Sequence, residues 1–198
     1  KTVQFKNPVY LGDPINAVKL FNDKEADELA FLDIDASRYN KEPNYKLIEQ
    51  IASEAFMPLS YGGNITSVDQ VRTLLKIGIE KVVVNTQHFY QPNLISQLSD
   101  HFGASTVIAG VDVKSNLWGK KELYTHSGTK SQKGNVVDYC IELEKRGAGE
   151  ILVNSIDRDG MMKGYDIELL KEISSALSIP VIACGGAGNL EHLKELSL

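Results

Sequence analysis

Residues 28–35, Glu28-Leu29-Ala30-Phe31-Leu32-Asp33-Ile34-Asp35, are echoed by residues 150–157, Glu150-Ile151-Leu152-Val153-Asn154-Ser155-Ile156-Asp157. Both stretches open on a glutamate, run through apolar residues and close on a carboxylate, and the offset between them is 122 positions. The echo continues where Pro58 with Gly62-Gly63 answers Pro180 with Gly185-Gly186, at an offset of 122 to 123. Short apolar runs of this kind mark strands buried on both faces of a parallel sheet. Further runs at 57–61, 81–85, 106–113 and 179–184 bring the strands to six.

Helical periodicity fills the gaps. Leu47, Ile48, Ile51, Ala52 and Ala55 share one face, and Val68, Val71 and Leu75 follow the capping string Ser67-Val68-Asp69-Gln70 and stop at Gly78. Val136 with Cys140, Val137 with Ile141, and Leu169, Ile173 and Leu177 repeat the spacing, and an opening helix is predicted over 14–26. Strands alternating with helices mean βα units with right-handed crossovers. An open doubly wound sheet and a closed (β/α)8 TIM barrel both satisfy that order. A repeat of 122 residues holding four βα units selects the α/β barrel, built as a duplicated half-barrel. The sequence starts at Lys1 without Met and stops at Leu198 within a helical pattern. Residues 1–198 are therefore expected to be a single barrel domain, truncated at both ends, with its first and last strands missing.

Composition narrows the function. The chain carries 21 basic and 26 acidic residues, a net charge of −5, with 42% hydrophobic and 24% charged residues. That is an ordinary folded domain, and the absence of a Lys/Arg run argues against a nucleic-acid binder. Cys140 and Cys184 are too few and too far apart for a disulfide framework or a metal knuckle, which fits a reducing, cytoplasmic setting. No apolar run approaches membrane-span length.

In a barrel the active site lies at the C-terminal ends of the strands. That rim holds Asp33 and Asp35, Asn85 and Thr86, Asp112 and Lys114, and Asp157 and Asp159. A carboxylate ending an apolar strand, as Asp112 does, is costly to desolvate without a partner or a task, and such a setting raises its pKa toward acid–base work. The alternative role for such residues is to cap the next loop or helix. Gly62-Gly63-Asn64 and Gly185-Gly186-Ala187-Gly188 each run toward a helix, which exposes backbone N–H groups to anions. Two such turns in symmetry-related places suggest a substrate with a phosphate at each end. Neither dinucleotide nor nucleotide-triphosphate glycine motifs occur. At the opposite end, Glu28, Lys81 and Glu150 open alternate strands and are placed to form a salt-bridged ring. The stretch 114–133 is too long for an ordinary βα connection, and a small hairpin is expected around 118–124.

Several strings resemble the cyclase subunit of imidazole glycerol phosphate synthase: Asp27-Glu28-Leu29-Ala30-Phe31-Leu32-Asp33-Ile34, Gly147-Ala148-Gly149-Glu150-Ile151-Leu152, Ser155-Ile156-Asp157-Arg158-Asp159-Gly160 and Ile182-Ala183-Cys184-Gly185-Gly186-Ala187-Gly188. The resemblance spans nearly the whole chain. It implies a barrel of the ribulose-phosphate-binding type, a lyase that takes ammonia from a glutaminase partner at the N-terminal face. The ammonia splits a bisphosphorylated ribulosyl formimino nucleotide into imidazole glycerol phosphate and aminoimidazole carboxamide ribotide, with no cofactor or metal. By motif, Asp112 and Asp159 correspond to catalytic aspartates. Lys1, Gly63, Asn64, Asn85, Thr86, Ser127, Gly128, Gly160, Gly185 and Gly186 correspond to substrate- and phosphate-binding positions. Glu28, Lys81 and Glu150 correspond to the ammonia gate.

The chain departs from the family pattern at Tyr61, Asn64, Asn154, Met161 and Cys184. Asn64 stands where a third glycine is usual, Asn154 and Met161 where threonines are, and Cys184 where a serine is. A paralogous group that delivers ammonia for acetamidino-sugar synthesis in surface polysaccharide, lipopolysaccharide included, is the competing reading.

Overall fold

The computed structural model describes residues 2–6, 8–10 and 12–196. After helix α1 (Pro14–Asp23), six parallel strands alternate with helices: β1 (Leu29–Leu32), α2 (Tyr45–Glu54), β2 (Leu59–Gly62), α3 (Val68–Lys76), β3 (Lys81–Val84), α4 (Gln87–Tyr90) and α5 (Leu94–Phe102) come first. Then follow β4 (Val107–Ser115), the short strands β5 (Lys121–Thr125) and β6 (Lys130–Gln132), α6 (Val136–Lys145), β7 (Glu150–Ser155), α7 (Ile167–Ala176), β8 (Val181–Cys184) and α8 (Leu190–Leu196). All six apolar runs are strands. The parallel order is β1-β2-β3-β4-β7-β8, the sequential winding of a TIM-barrel-like α/β fold.

Alternation along each strand sorts the residues into two layers. Outward residues such as Leu59, Val82, Val84, Val107, Ala109, Val111, Ile151 and Val153 join the core beneath the helices, with Ile48, Ile51, Val71, Leu74, Leu98, Cys140, Leu143 and Ile173. Inward residues form a second, smaller cluster of Val83, Ile108 and Leu152 against Leu32, Ile182 and Cys184. Leu32 on β1 and Ile182 on β8 are at opposite margins of the parallel sheet, so one cluster holds both only because the sheet curls around it. That apolar belt separates the two ends of the curl.

Local chemistry starts the helices where expected. Asp13 accepts from Ile15 N at 2.8 Å with Pro14 in the first turn, and Asn135 accepts from Val137 N at 2.8 Å and Asp138 N at 3.1 Å. At α3 the capping box is half formed. Ser67 Oγ takes the Gln70 N–H at 3.3 Å, but the Gln70 side chain turns to Thr66 and Glu42 instead of returning to Ser67.

The stretch 114–133 is larger than the expected hairpin. β4 runs on to Ser115 and pairs antiparallel with β5, which pairs with β6. β4 can extend this far because its outward residue Val113 and Leu123 of β5 are both buried in the outer core, while the turn carrying Leu117 and Trp118 is exposed. Among the described residues no helix is long and apolar enough to cross a membrane.

Candidate active site

The mouth of the curl holds an open cleft lined from five of the parallel strands and their following loops. The inward positions Leu32, Gly62, Val83, Gly110, Asp112, Leu152 and Asn154 form its floor and wall, and Asn64, Asn85, Thr86 and Ser127 stand around it. Asp112, only 6% exposed, is the carboxylate at its inner end. Burial pushes its pKa up to about 7, and the negative Asp159 nearby pushes the same way; hydrogen bonds from Asn85 and Asn154 oppose the rise. Asn154 sits directly beside Asp112 in the β4–β7 register.

Three of the other rim carboxylates, Asp33, Asp157 and Asp159, have structural occupations, and Asp35 is exposed. Asp33 Oδ1 accepts from Asp35 N and Ala36 N, both at 3.2 Å, and so caps its own loop. Asp157 takes the Ser115 N–H at 2.7 Å. Asp159 Oδ2 accepts from Thr2 Oγ1 at 3.0 Å and Phe5 N at 3.3 Å, so residues 2–6 lie across this side of the mouth, with Phe5 lining the cleft. Of the two expected catalytic aspartates, Asp112 faces the cleft and Asp159 is held by this strap.

The binding positions fall into two groups. Gly63, Asn64, Asn85, Thr86 and Ser127 line the cleft, although Ser127 Oγ donates to the Ile34 carbonyl and Thr86 Oγ1 accepts from His126 N at 3.1 Å. Gly128 packs between Phe5 and Ile156. Gly160, Gly185 and Gly186 are not among the residues lining the cleft: Gly160 packs against Thr2 and Val3, Gly185 against Ser155 and Asn154, and Gly186 against Gly164 and Arg158 in the loop after β7. Gly186 has φ +108°, and a Cβ there would lie 2.1 Å from the Gly164 carbonyl oxygen, so only glycine fits. The expected position Lys1 lies outside the described residues.

The first glycine turn is braced on two sides. The Tyr61 hydroxyl stands behind Gly63 and donates to its carbonyl at 3.5 Å. Asn64, at φ +47°, donates to Asn40 Oδ1 at 3.2 Å and Lys41 O at 3.0 Å, and accepts from Gln87 Nε2 at 3.1 Å. Tyr61 and Asn64 therefore act on the same turn.

At the far end, Lys81 Nζ contacts both oxygens of Glu28 at 3.0 Å and Glu150 Oε1 at 2.8 Å. The hydrogen bond to Glu150 raises the Lys81 pKa most, against a smaller opposing effect of burial. The three expected gate residues thus meet at the strand entrances, below the apolar belt.

Two residues near Asp112 were not among the expected site residues: Asn154, noted only as a departure from the family pattern, and His88. Asn154 shares the inward parity of Glu150 and Leu152, a signal the strand pattern carries. His88 gives no such signal. It is fully buried, bonded through Nε2 to Gly110 O and through Nδ1 to Tyr139 Oη, each at 2.8 Å, with burial pulling its pKa down to about 4. It fixes Gly110, against which Asn85 packs. Among the described residues, no group of three or more His, Cys, Asp or Glu side chains is placed to hold a metal ion.

The sequence profile of the histidine biosynthesis protein family matches residues 1–197. The chain belongs to that family. It is 46% identical over 196 residues to a Pseudomonas aeruginosa protein provisionally named imidazole glycerol phosphate synthase subunit hisF2, covering 99% of this chain and 78% of the relative. A similarly named Leptospira borgpetersenii protein is 47% identical over 197 residues, with 99% and 78% covered. The Vibrio vulnificus relative, provisionally named subunit hisF3, is 46% identical over 197 residues, with 99% and 76% covered.

Proposed function

We propose that the chain is the cyclase-type barrel of an ammonia-using lyase, with Asp112 as its acid–base group. In this reading ammonia arrives from a glutaminase subunit at the Glu28–Lys81–Glu150 end and passes the belt of Val83, Ile108 and Leu152. At the cleft it meets a bisphosphorylated ribulosyl formimino nucleotide and yields imidazole glycerol phosphate and aminoimidazole carboxamide ribotide. The names of the relatives support a synthase subunit. The observation that carries the reading is Asp112: among Asp33, Asp112, Asp157 and Asp159 it alone faces the cleft with no loop to cap, and its pKa of about 7 suits proton transfer near neutrality. The Gly63–Asn64 turn with Thr86 on one side, and the Gly160 and Gly186 loops on the other, would take the two phosphates. A cytoplasmic location is part of this reading.

The second reading is the surface-polysaccharide paralogue, and the braced first turn favours it. Asn64 fills a rim position with a side chain tied to Asn40, Lys41 and Gln87, which narrows the choice of substrate there. One assay separates the two. Full-length protein, ammonium and the ribulosyl formimino nucleotide are mixed and nucleotide consumption is followed. Consumption supports the cyclase. No consumption by a protein that still binds and activates its glutaminase partner supports the paralogue.

A further inference from the structure

Strand β4 changes neighbours just before Asp112. On one edge it is paired with β7 from Ile108 to Val113. On the other edge β3 leaves after Val84, opposite Ala109, and β5 joins only at Tyr124, opposite Asp112. Among the described residues no strand pairs with Gly110 or Val111 on that edge. His88, on the α4 turn that follows β3, takes up the place. Its Nε2 lies 2.8 Å from the Gly110 carbonyl oxygen, and its Nδ1 lies 2.8 Å from Tyr139 Oη on α6. A carbonyl oxygen only accepts, so Nε2 carries the proton, and in the uncharged ring Nδ1 accepts from the Tyr139 hydroxyl. Burial, assisted by the positive Arg146, keeps the ring uncharged above about 4, against the opposing effect of the bond to Gly110. Phe89 stacks on Tyr139 with ring centres 4.4 Å apart and holds that side. The same point leads to the carboxylate by a second path. The His88 N–H donates to Asn85 O at 3.2 Å, and the Asn85 side chain packs on Gly110, where a Cβ would meet Asn85 Cβ at 3.2 Å. Asn85 in turn donates to Asp112.

We propose that His88 is a positioning residue for Asp112: held by Tyr139, its Nε2–H stands in for the missing strand at Gly110 and fixes both the backbone that leads to Asp112 and the Asn85 side chain that donates to it. A buried imidazole with both nitrogens engaged has no atom left to touch a substrate, so its effect must pass through its bonds. Tyr139 sets the tautomer, and Gly110 uses it. The bond falls where β4 has lost β3 and not yet gained β5, two residues before the carboxylate, which ties it to the site and not to the general core. An unpaired Gly110 carbonyl at this depth would be costly, and the backbone would shift to relieve it. That this placement serves acid–base chemistry rests on the role of Asp112 in the proposed cyclase reading; the placement itself does not.

The test compares two amides in place of the ring, in full-length protein labelled with 13C at aspartate carboxyl carbons, with Asp112→Asn identifying the Asp112 signal. His88→Gln carries an amide as far out as Nε2 and can still donate to Gly110. His88→Asn carries it only as far as Nδ1 and cannot. The titration midpoint of Asp112 should rise by about one pH unit in His88→Asn, because a loosened Asn85 gives up its hydrogen bond to the carboxylate, and stay within about 0.3 of wild type in His88→Gln. Where the ribulosyl formimino nucleotide is consumed, kcat should fall at least about tenfold in His88→Asn with KM within about twofold, and His88→Gln should recover most of the loss. A histidine that only fills the core would lower the stability of both variants and leave the midpoint where it is. An unmoved midpoint in folded His88→Asn, or the same midpoint in both variants, overturns the proposal. If His88→Asn does not fold, as judged by circular dichroism, Tyr139→Phe takes its place. It removes only the donor to Nδ1 and should move the midpoint the same way by a smaller amount; no movement there also overturns the proposal. The midpoint is read without substrate, so failure of the cyclase reading, seen as no nucleotide consumption by the wild type, is a separate result.

Discussion

The two ends of the curled sheet treat charge in opposite ways. At the strand entrances Lys81 bonds Glu28 and Glu150, and the charges satisfy one another. At the strand exits Asp112 is buried with only amide donors, two acceptors beside it have no partner, and its pKa climbs to about 7. The first arrangement is complete by itself. The second is finished only by something from outside the chain, which is the physical signature of a site as opposed to a brace.

The sharpest way to break this comparison is Asp112→Asn in full-length protein. It should lower ammonia-dependent turnover at least about 100-fold, the lower range for general acid–base catalysis. Turnover within threefold of the wild type would remove Asp112 from the chemistry.

The same variant should show the cost of the unfinished end. A carboxyl group whose folded pKa is raised binds its proton more tightly in the folded state. Stability attributable to Asp112 therefore falls as pH rises from about 4 to about 7. Asp112→Asn should then be more stable than wild type by at least about 1 kcal/mol at pH 8 and show little gain at pH 4, measured by urea unfolding. Buried His88 works in the other direction. Its folded pKa is lowered, so its contribution is present above about 6.5 and lost as pH falls toward 4. With Asp112 removed, this acid loss should stand unmasked in the pH–stability curve.

Lys81→Met tests the finished end. It leaves Glu150, which is 16% exposed at its side chain, facing Glu28 with no cation, and should cost about 1 kcal/mol. Lys81→Arg should restore most of that. Because the Lys81 pKa is raised, wild-type protein should lose the same contribution only as pH climbs above about 10.4. Equal stability of Lys81→Met and wild type at pH 8 would make the ring ornamental. The smallest effect belongs to a residue at neither end: Trp118, 89% exposed on the β4–β5 turn, changed to Ser should alter stability by less than about 0.5 kcal/mol.

Much of this was legible in the sequence. The six strands follow from apolar runs, because parallel strands covered on both faces need little else. Lys81 and its two glutamates follow from their place at the openings of alternate strands. Asp112 follows from a lone carboxylate after Val107, Ile108, Ala109, Gly110 and Val111. What the pattern could not convey was which aspartates are free. Asp33, Asp112, Asp157 and Asp159 look alike along the chain, and only the folded loops engage three of them. His88 was invisible for the same reason, since its two partners, Gly110 and Tyr139, are 22 and 51 residues away.

Sequence by itself determined the periodicities, and with them the strands, the helices and the winding order, because these depend on local backbone preference and on which face is apolar. Tertiary structure decided everything that depends on burial and on the partners a side chain meets. It set the proton affinity of Asp112, the turned amides of Asn85 and Asn154, and the separation of a self-neutralised end from an unsatisfied one. Those are properties of the space between strands, and no residue carries them alone.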